Sequence, residues 1–195
     1  MRIRQWMVKG DDAMTLSRRD AIRRIGGTGL AVVTGSVLAL SLESPALAAQ
    51  SNWRWCHLCE GLWFNGHTFK GACAGNGGGS HHSDGSGNYS LLFAADAGTG
   101  QTNWRYCHLC EGLWFNGHMF KGACPGNGNL SHHSDGSGDY KIESASVGGG
   151  QSNWRYCHLC EGMWFNGHAF KGACPGNGGG SHQSDESGNY QLRQV

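Results

Sequence analysis

The sequence predicts an all-β fold built from three tandem copies of one unit of ~50 residues. Three observations carry this reading. Laid against itself, the chain repeats as NWRWCHLCEGLWFNGHTFKGAC from Asn52, NWRYCHLCEGLWFNGHMFKGAC from Asn103 and NWRYCHLCEGMWFNGHAFKGAC from Asn153. No window holds apolar residues at the helical period of about 3.6 over ~10 positions, and glycine interrupts every candidate helix. Short aromatic-rich runs bounded by turn residues recur in each copy, which is the pattern of strands.

Taken in order, Trp53 to Trp55, Leu62-Trp63-Phe64 and Tyr89 to Leu92 read as the strands of the first copy, with counterparts in the other two. Asn65-Gly66, Asn116-Gly117 and Asn166-Gly167 are tight-turn dipeptides. A Gly/Asn-rich stretch then leads to SHHSDGSGNY, SHHSDGSGDY or SHQSDESGNY. The connectors near residues 94–101 and 144–151 are rich in Gly, Ala, Ser and Thr and read as flexible joins. The expected organisation is a leader over 1–49 and repeats over 50–93, 94–143 and 144–195. Each repeat is a set of short antiparallel strands with Gly-rich loops. Two architectures fit: a pseudo-threefold, trefoil-like body, or three small metal-stabilised beads.

Composition says what such units lack. Residues 50–195 hold 29 of the 34 glycines but only twelve Leu, Ile and Val. Ordering a residue costs roughly 1–2 kcal/mol of backbone entropy, and glycine loses most, so burial alone is a weak source of stability here. A covalent or metal reinforcement is expected. The same residues carry eight Lys/Arg against ten Asp/Glu, which leaves no basic excess to neutralise a phosphate backbone and argues against nucleic acid as a partner.

The cysteines have ligand spacing. Each copy reads C-x2-C-x13-C, giving Cys56, Cys59 and Cys73, then Cys107, Cys110 and Cys124, then Cys157, Cys160 and Cys174. Eight residues after the third Cys stands a histidine, His81, His132 or His182. Three thiolates and an imidazole satisfy four-coordinate zinc, and the set uses every thiol. The alternative is no metal and one disulfide per repeat, linking Cys73 and its equivalents to one member of the C-x-x-C pair, in keeping with a core-poor secreted chain. His82 and His133 are weaker ligand candidates because Gln183 takes their place in the third copy, and His57, His108 and His158 are expected to point away from the metal. The pattern is not the C-x-x-C-H of covalent haem attachment, since Glu60, Glu111 and Glu161 follow the second Cys.

Residues 1–49 are laid out as an export signal: a basic stretch to Arg24, a mildly apolar run from Ile25 to Leu42, and small residues ending at Ala48-Ala49. Ser17-Arg18-Arg19-Asp20-Ala21-Ile22 resembles the bacterial twin-arginine signal, with Ala21 standing where a large apolar residue is usual. That resemblance implies export in the folded state, cleavage after Ala48 or Ala49, a secreted or extracytoplasmic location, and contact with the membrane only during export. The unit W-R-x-C-x-x-C-x-G-x-W-F, followed by G-x-C, His and S-G-x-Y, resembles tandem repeats of secreted bacterial proteins over nearly all of residues 52–192.

Function reads as binding rather than catalysis. No strained G-x-S-x-G turn and no phosphate loop is present. Glu60 with Asp84, and their counterparts, offer a carboxylate pair of the kind a glycosidase uses, but three near-identical active sites in units this small favour the non-enzymatic reading. Repeated aromatic and small polar side chains suit polysaccharide or cell-surface glycan. Trp63, Trp114 and Trp164 are the expected stacking faces. Asn65, Asp84, Asn116, Asp135, Asn166 and Asp185 are the expected hydroxyl partners. The competing readings are a structural or envelope-associated Cys-rich protein without a saccharide ligand, and a secreted hydrolase.

Overall fold

The computed structural model describes residues 49–195. The export-signal reading of 1–49 therefore lies outside the described residues except at Ala49. Among the described residues nine short strands form, three from each copy: β1 Gln50–Trp55, β2 Leu62–Phe64 and β3 Tyr89–Phe93; β4 Gln101–Tyr106, β5 Leu113–Phe115 and β6 Tyr140–Ser144; β7 Gln151–Tyr156, β8 Met163–Phe165 and β9 Tyr190–Gln194. Every pairing is antiparallel. In each copy the first strand lies between the other two, with Trp53 opposite Phe64 on one side and Tyr89 on the other.

The copies close on one another rather than hanging as beads. The end of β3 pairs with the start of β6 through Leu92↔Lys141 and Phe93↔Tyr140. The end of β6 pairs with the start of β9 through Glu143↔Gln191 and Ser144↔Tyr190. The end of β9 returns to the start of β3 through Ser90↔Arg193 and Tyr89↔Gln194. Such a ring leaves none of these strands with both sides unpaired, which removes the edge that a lone small sheet would expose. Just past each strand the pattern is sealed again: Ala94 N–H donates to the Asp139 carbonyl, Ala145 to Asn189 and Val195 to Asn88. Isolated bridges Gly61↔Trp164, Trp63↔Gly112 and Trp114↔Gly162 make a second ring of contacts between copies.

Part of the small aliphatic inventory lines the shared core. Leu91, Ile142 and Leu192 are 1–2% exposed, and Leu62, Leu113 and Met163 are equally buried. Around them stand Trp53, Trp104 and Trp154, completely enclosed, so the first tryptophan of each copy is core as its strand alternation requires. Each meets a tyrosine of the next copy edge-on: Trp53 with Tyr140 at 5.3 Å, Trp104 with Tyr190 at 5.6 Å and Trp154 with Tyr89 at 5.2 Å between ring centroids. Edge-to-face geometry sets the positive ring edge against the negative face and adds to the area buried.

The glycine-rich tail of each copy has a bracing role. Asn52, Asn103 and Asn153 adopt left-handed φ of 72°, 69° and 70°, and the strand register shifts there, so each is the extra residue of a bulge. The bulged N–H is taken up by Asn88, Asp139 or Asn189 Oδ1 at 2.8–2.9 Å. Ser86, Ser137 and Ser187 Oγ accept from the backbone of Trp55, Tyr106 and Tyr156 at 2.7–2.8 Å. The S-D-G-S-G-N stretch is thus a turn whose side chains pin the first strand.

Candidate metal centres

Each C-x-x-C sits in the turn leaving the first strand of its copy. Glu60 N–H returns to the Cys56 carbonyl at 2.8 Å and Cys56 N–H to the Gly61 carbonyl at 3.0 Å, with Glu60 itself left-handed at φ 59°. This tight fold aims Cys56 and Cys59 at one point. The third cysteine enters from the loop that follows the second strand and precedes a short 3-10 turn, Ala74–Asn76, where the Asn76 N–H folds back on the Cys73 carbonyl. His81 then returns beside the same loop, its N–H bonded to the Lys70 carbonyl at 2.9 Å. The other two copies repeat every step through Pro125–Asn127 and Pro175–Asn177.

The structure brings together all twelve expected ligands, as Cys56, Cys59, Cys73 and His81; Cys107, Cys110, Cys124 and His132; and Cys157, Cys160, Cys174 and His182. All are buried, and within each set the ligand atoms lie within 4.8 Å of one another. Two separations in each set match the edges of a tetrahedron. With Zn–S near 2.3 Å and Zn–N near 2.05 Å, tetrahedral edges come to about 3.8 Å for S···S and about 3.5 Å for S···N. Cys56 and Cys73 Sγ are 3.8 Å apart, and the equivalent pairs 3.7 Å. Cys59 Sγ lies 3.6 Å from His81 Nδ1, and the equivalents 3.5 Å. A disulfide needs about 2.05 Å. All nine thiols are free, so the one-disulfide-per-repeat alternative does not describe this fold.

Electrostatics points the same way. The Cys56 thiol is driven far below its ordinary range by hydrogen bonds from Cys59 and then Cys73. Cys59, fully enclosed, is pushed well up by its hydrogen bonds to Cys56 and Cys73 and by burial. Cys73 is pushed up to about 12, first by its hydrogen bond to Cys56. One thiolate therefore suppresses ionisation of its neighbours, and a divalent cation between them is what lets all three carry charge. These buried Cys3His sets can each hold a metal ion.

The outer partners of the ligands cross between copies. His81 Nε2 lies 3.0 Å from the carbonyl oxygen of Cys110, His132 Nε2 3.1 Å from that of Cys160, and His182 Nε2 3.1 Å from that of Cys59. A carbonyl can only accept, so Nε2 carries the proton and Nδ1 presents its lone pair to the site. On the other side each imidazole stacks on a tryptophan, Trp63 on His81 at 5.2 Å and 15°, with Trp114 and Trp164 alike. Gly71 has φ +71°, and a Cβ there would come within 2.2 Å of the same Cys110 oxygen, which accounts for glycine at 71, 122 and 172.

A second seam escaped the sequence reading. Glu60, Glu111 and Glu161 are buried to 2% exposure. Glu111 accepts from Tyr106 of its own copy at 2.5 Å and pairs with His67 Nδ1 of the preceding copy at 2.9 Å; Glu161 does the same with Tyr156 and His118. Glu60 completes the ring with Trp55 Nε1 at 2.8 Å and His168 Nδ1 at 2.9 Å. The signal available in the sequence was the invariance of Glu directly after the second Cys.

The expected saccharide residues are placed unevenly. Trp114, Asn116 and Asp135 do line one recess of about 240 Å³ together with Lys121, His133 and Ser134. Asn65, Asn116 and Asn166 are half-buried, and Asp84, Asp135 and Asp185 exposed. Trp63, Trp114 and Trp164, however, are 1% exposed and occupied by their histidines, so they offer no free face for a sugar ring. Among the described residues the most exposed phenylalanines are instead Phe69, Phe120 and Phe170, each slightly more than half accessible. No protein-family model matches the chain, and neither does a curated protein or a solved structure.

Proposed function

We propose that the chain is an exported, non-enzymatic binding module, made rigid by three structural zinc ions and attaching to polysaccharide or cell-surface glycan through three equivalent faces. The observation that carries the reading is the closed donor set: with three sulfurs and one nitrogen from protein at tetrahedral spacing, no position is left for substrate, and the metal is structural. Zinc, rather than a hard cation, is what thiolate and imidazole donors select. Three faces fixed in one body let weak sites act together on a polymer, and avidity then exceeds any single contact by orders of magnitude. Asn65, Asp84 and their counterparts supply the polar contacts, and the exposed Phe69, Phe120 and Phe170 supply the apolar surface that Trp63, Trp114 and Trp164 do not.

A second reading, an envelope-associated structural protein with no saccharide ligand, draws on the covering of those three tryptophans by histidine. A glycan array and a pull-down on insoluble cell-wall polymers separate the two. Retention that weakens when Phe69, Phe120 and Phe170 are all changed to Ala supports the binding module, whereas silence in both assays leaves the structural reading. Elemental analysis of the mature chain with alkylation under denaturing conditions tests the metal. Near three zinc and nine reactive thiols are expected, and metal-free protein with six blocked thiols overturns it. Intact mass of the extracytoplasmic form tests export, with Met1 to Ala48 absent and secretion lost on R18K together with R19K.

A further inference from the structure

Outside the buried centres, two copies bring two imidazoles and a carboxylate together on the surface. In the first, His57, His82 and Asp84 place three ligand atoms within 4.8 Å of one another. His57 Nδ1 is 4.0 Å and His82 Nδ1 3.9 Å from Asp84 Oδ2, and the two imidazoles meet edge-on at 5.8 Å. The second copy has a looser counterpart, with His108 and His133 at 4.0 and 3.8 Å from Asp135 Oδ2 and rings 5.9 Å apart. No pair in either group is close enough to hydrogen-bond, so the atoms converge without satisfying one another. His108 Nδ1 is buried and makes no hydrogen bond at all, which is an uncommon state for an imidazole nitrogen.

We propose that these groups are two additional sites for a borderline divalent cation, each formed by two imidazoles and one carboxylate, with the remaining positions open to water or to an anionic donor from a partner. The donor chemistry suits zinc and its neighbours, for which imidazole is a good ligand and mixed His/Asp coordination common. Ligands at about 2.05 Å in a tetrahedron stand about 3.4 Å apart. The aspartate must therefore move by roughly half an ångström, which an 83% exposed side chain does freely. On the inner side each site rests on a fixed frame, because His57 and His108 lie between the two cysteines of a buried centre. These sites differ from the buried ones in being open and in exchanging their ion with solvent.

The third copy supplies a built-in control. Gln183 stands where His82 and His133 stand, and its backbone N–H bonds to Cys157 Sγ at 3.5 Å, so the fold at this position accepts either side chain. Equilibrium dialysis of the zinc-loaded chain against micromolar Zn2+, followed by elemental analysis, is the test. Near five zinc per chain are expected, falling to about three in the H82Q/H133Q double variant and rising to about six in Q183H. The proposal is overturned if dialysis adds no zinc beyond the tightly held ions, if H82Q/H133Q binds as much as the parent, or if Q183H gains none. Far-UV spectra matching the parent establish that the variants fold, and Gln183 shows that they can.

Discussion

His81 Nε2 donates to the carbonyl oxygen of Cys110, so a ligand of the first metal centre is held in place by the backbone of a ligand of the second. His132 and His182 continue the relation to Cys160 and Cys59, and the chain of dependence closes. Outer partners of this kind usually change metal affinity by about 10–100-fold. Ions held in the three centres should accordingly leave together. Titration with a strong chelator, followed by metal release and by circular dichroism, is expected to show one transition in which metal and structure are lost in step. Three separated steps of metal loss would show the centres to be independent.

Loss of a single ligand should be costly. In C124S the second centre keeps two thiolates and His132, and the content of tightly held zinc should fall by one per chain. Structural zinc contributes on the order of 10 kcal/mol to small folds, so a loss of several kcal/mol in denaturant unfolding is expected rather than the small effect of an ordinary Cys→Ser change.

The apolar axis is thin enough that one side chain matters. Ile142 is 1% exposed and faces Leu91 and Leu192 within the same core. I142A should destabilise by about 2–5 kcal/mol, the range for buried aliphatic truncation, with zinc content unchanged at saturating metal. Urea unfolding monitored by tryptophan fluorescence measures it.

Alkaline pH should weaken the fold. Burial, and then the hydrogen bond to Glu111 or Glu161, raise Tyr106 and Tyr156 above the ordinary phenol value of 10.0. The folded state keeps protons that the unfolded chain gives up, so this stability is complete below pH 10 and declines as pH rises beyond it. The decline is at most about 1.4 kcal/mol per pH unit for each tyrosine. The first copy shows the remedy, since Trp55 holds Glu60 with an N–H that does not titrate there. Y106W with Y156W should fold normally at neutral pH and unfold at a higher alkaline midpoint.

What the sequence made legible was local. The C-x2-C-x13-C pattern and the histidine eight residues on place four donors within one copy, and spacing alone assigned them. The seam was not legible, because His67 and Glu111 are 44 positions apart and meet only when two copies close. The burial of Trp63 was not legible for a related reason. A strand residue beside Phe64 can face out or in, and here it faces in, against His81, which lies 18 positions further along the chain. Closure itself depended on registers such as Leu92↔Lys141 and Ser90↔Arg193, between residues of no special type.

The mutual strand closure also makes chain order a matter of convenience. The backbone closure one copy makes forward to its neighbour is made again by the third copy back to the first, with Val195 bonding to Asn88 as Ala94 bonds to Asp139 and Ala145 to Asn189. The body is therefore, in its connectivity, a covalently linked trimer. A linker from residue 195 to residue 50, with the chain reopened in the segment between Ser144 and Gln151, would yield a circular permutant with the same contacts. One copy expressed alone would find its missing strand partners, histidine acceptors and glutamate only on other copies of itself, and cyclic threefold assembly is the arrangement that satisfies them all.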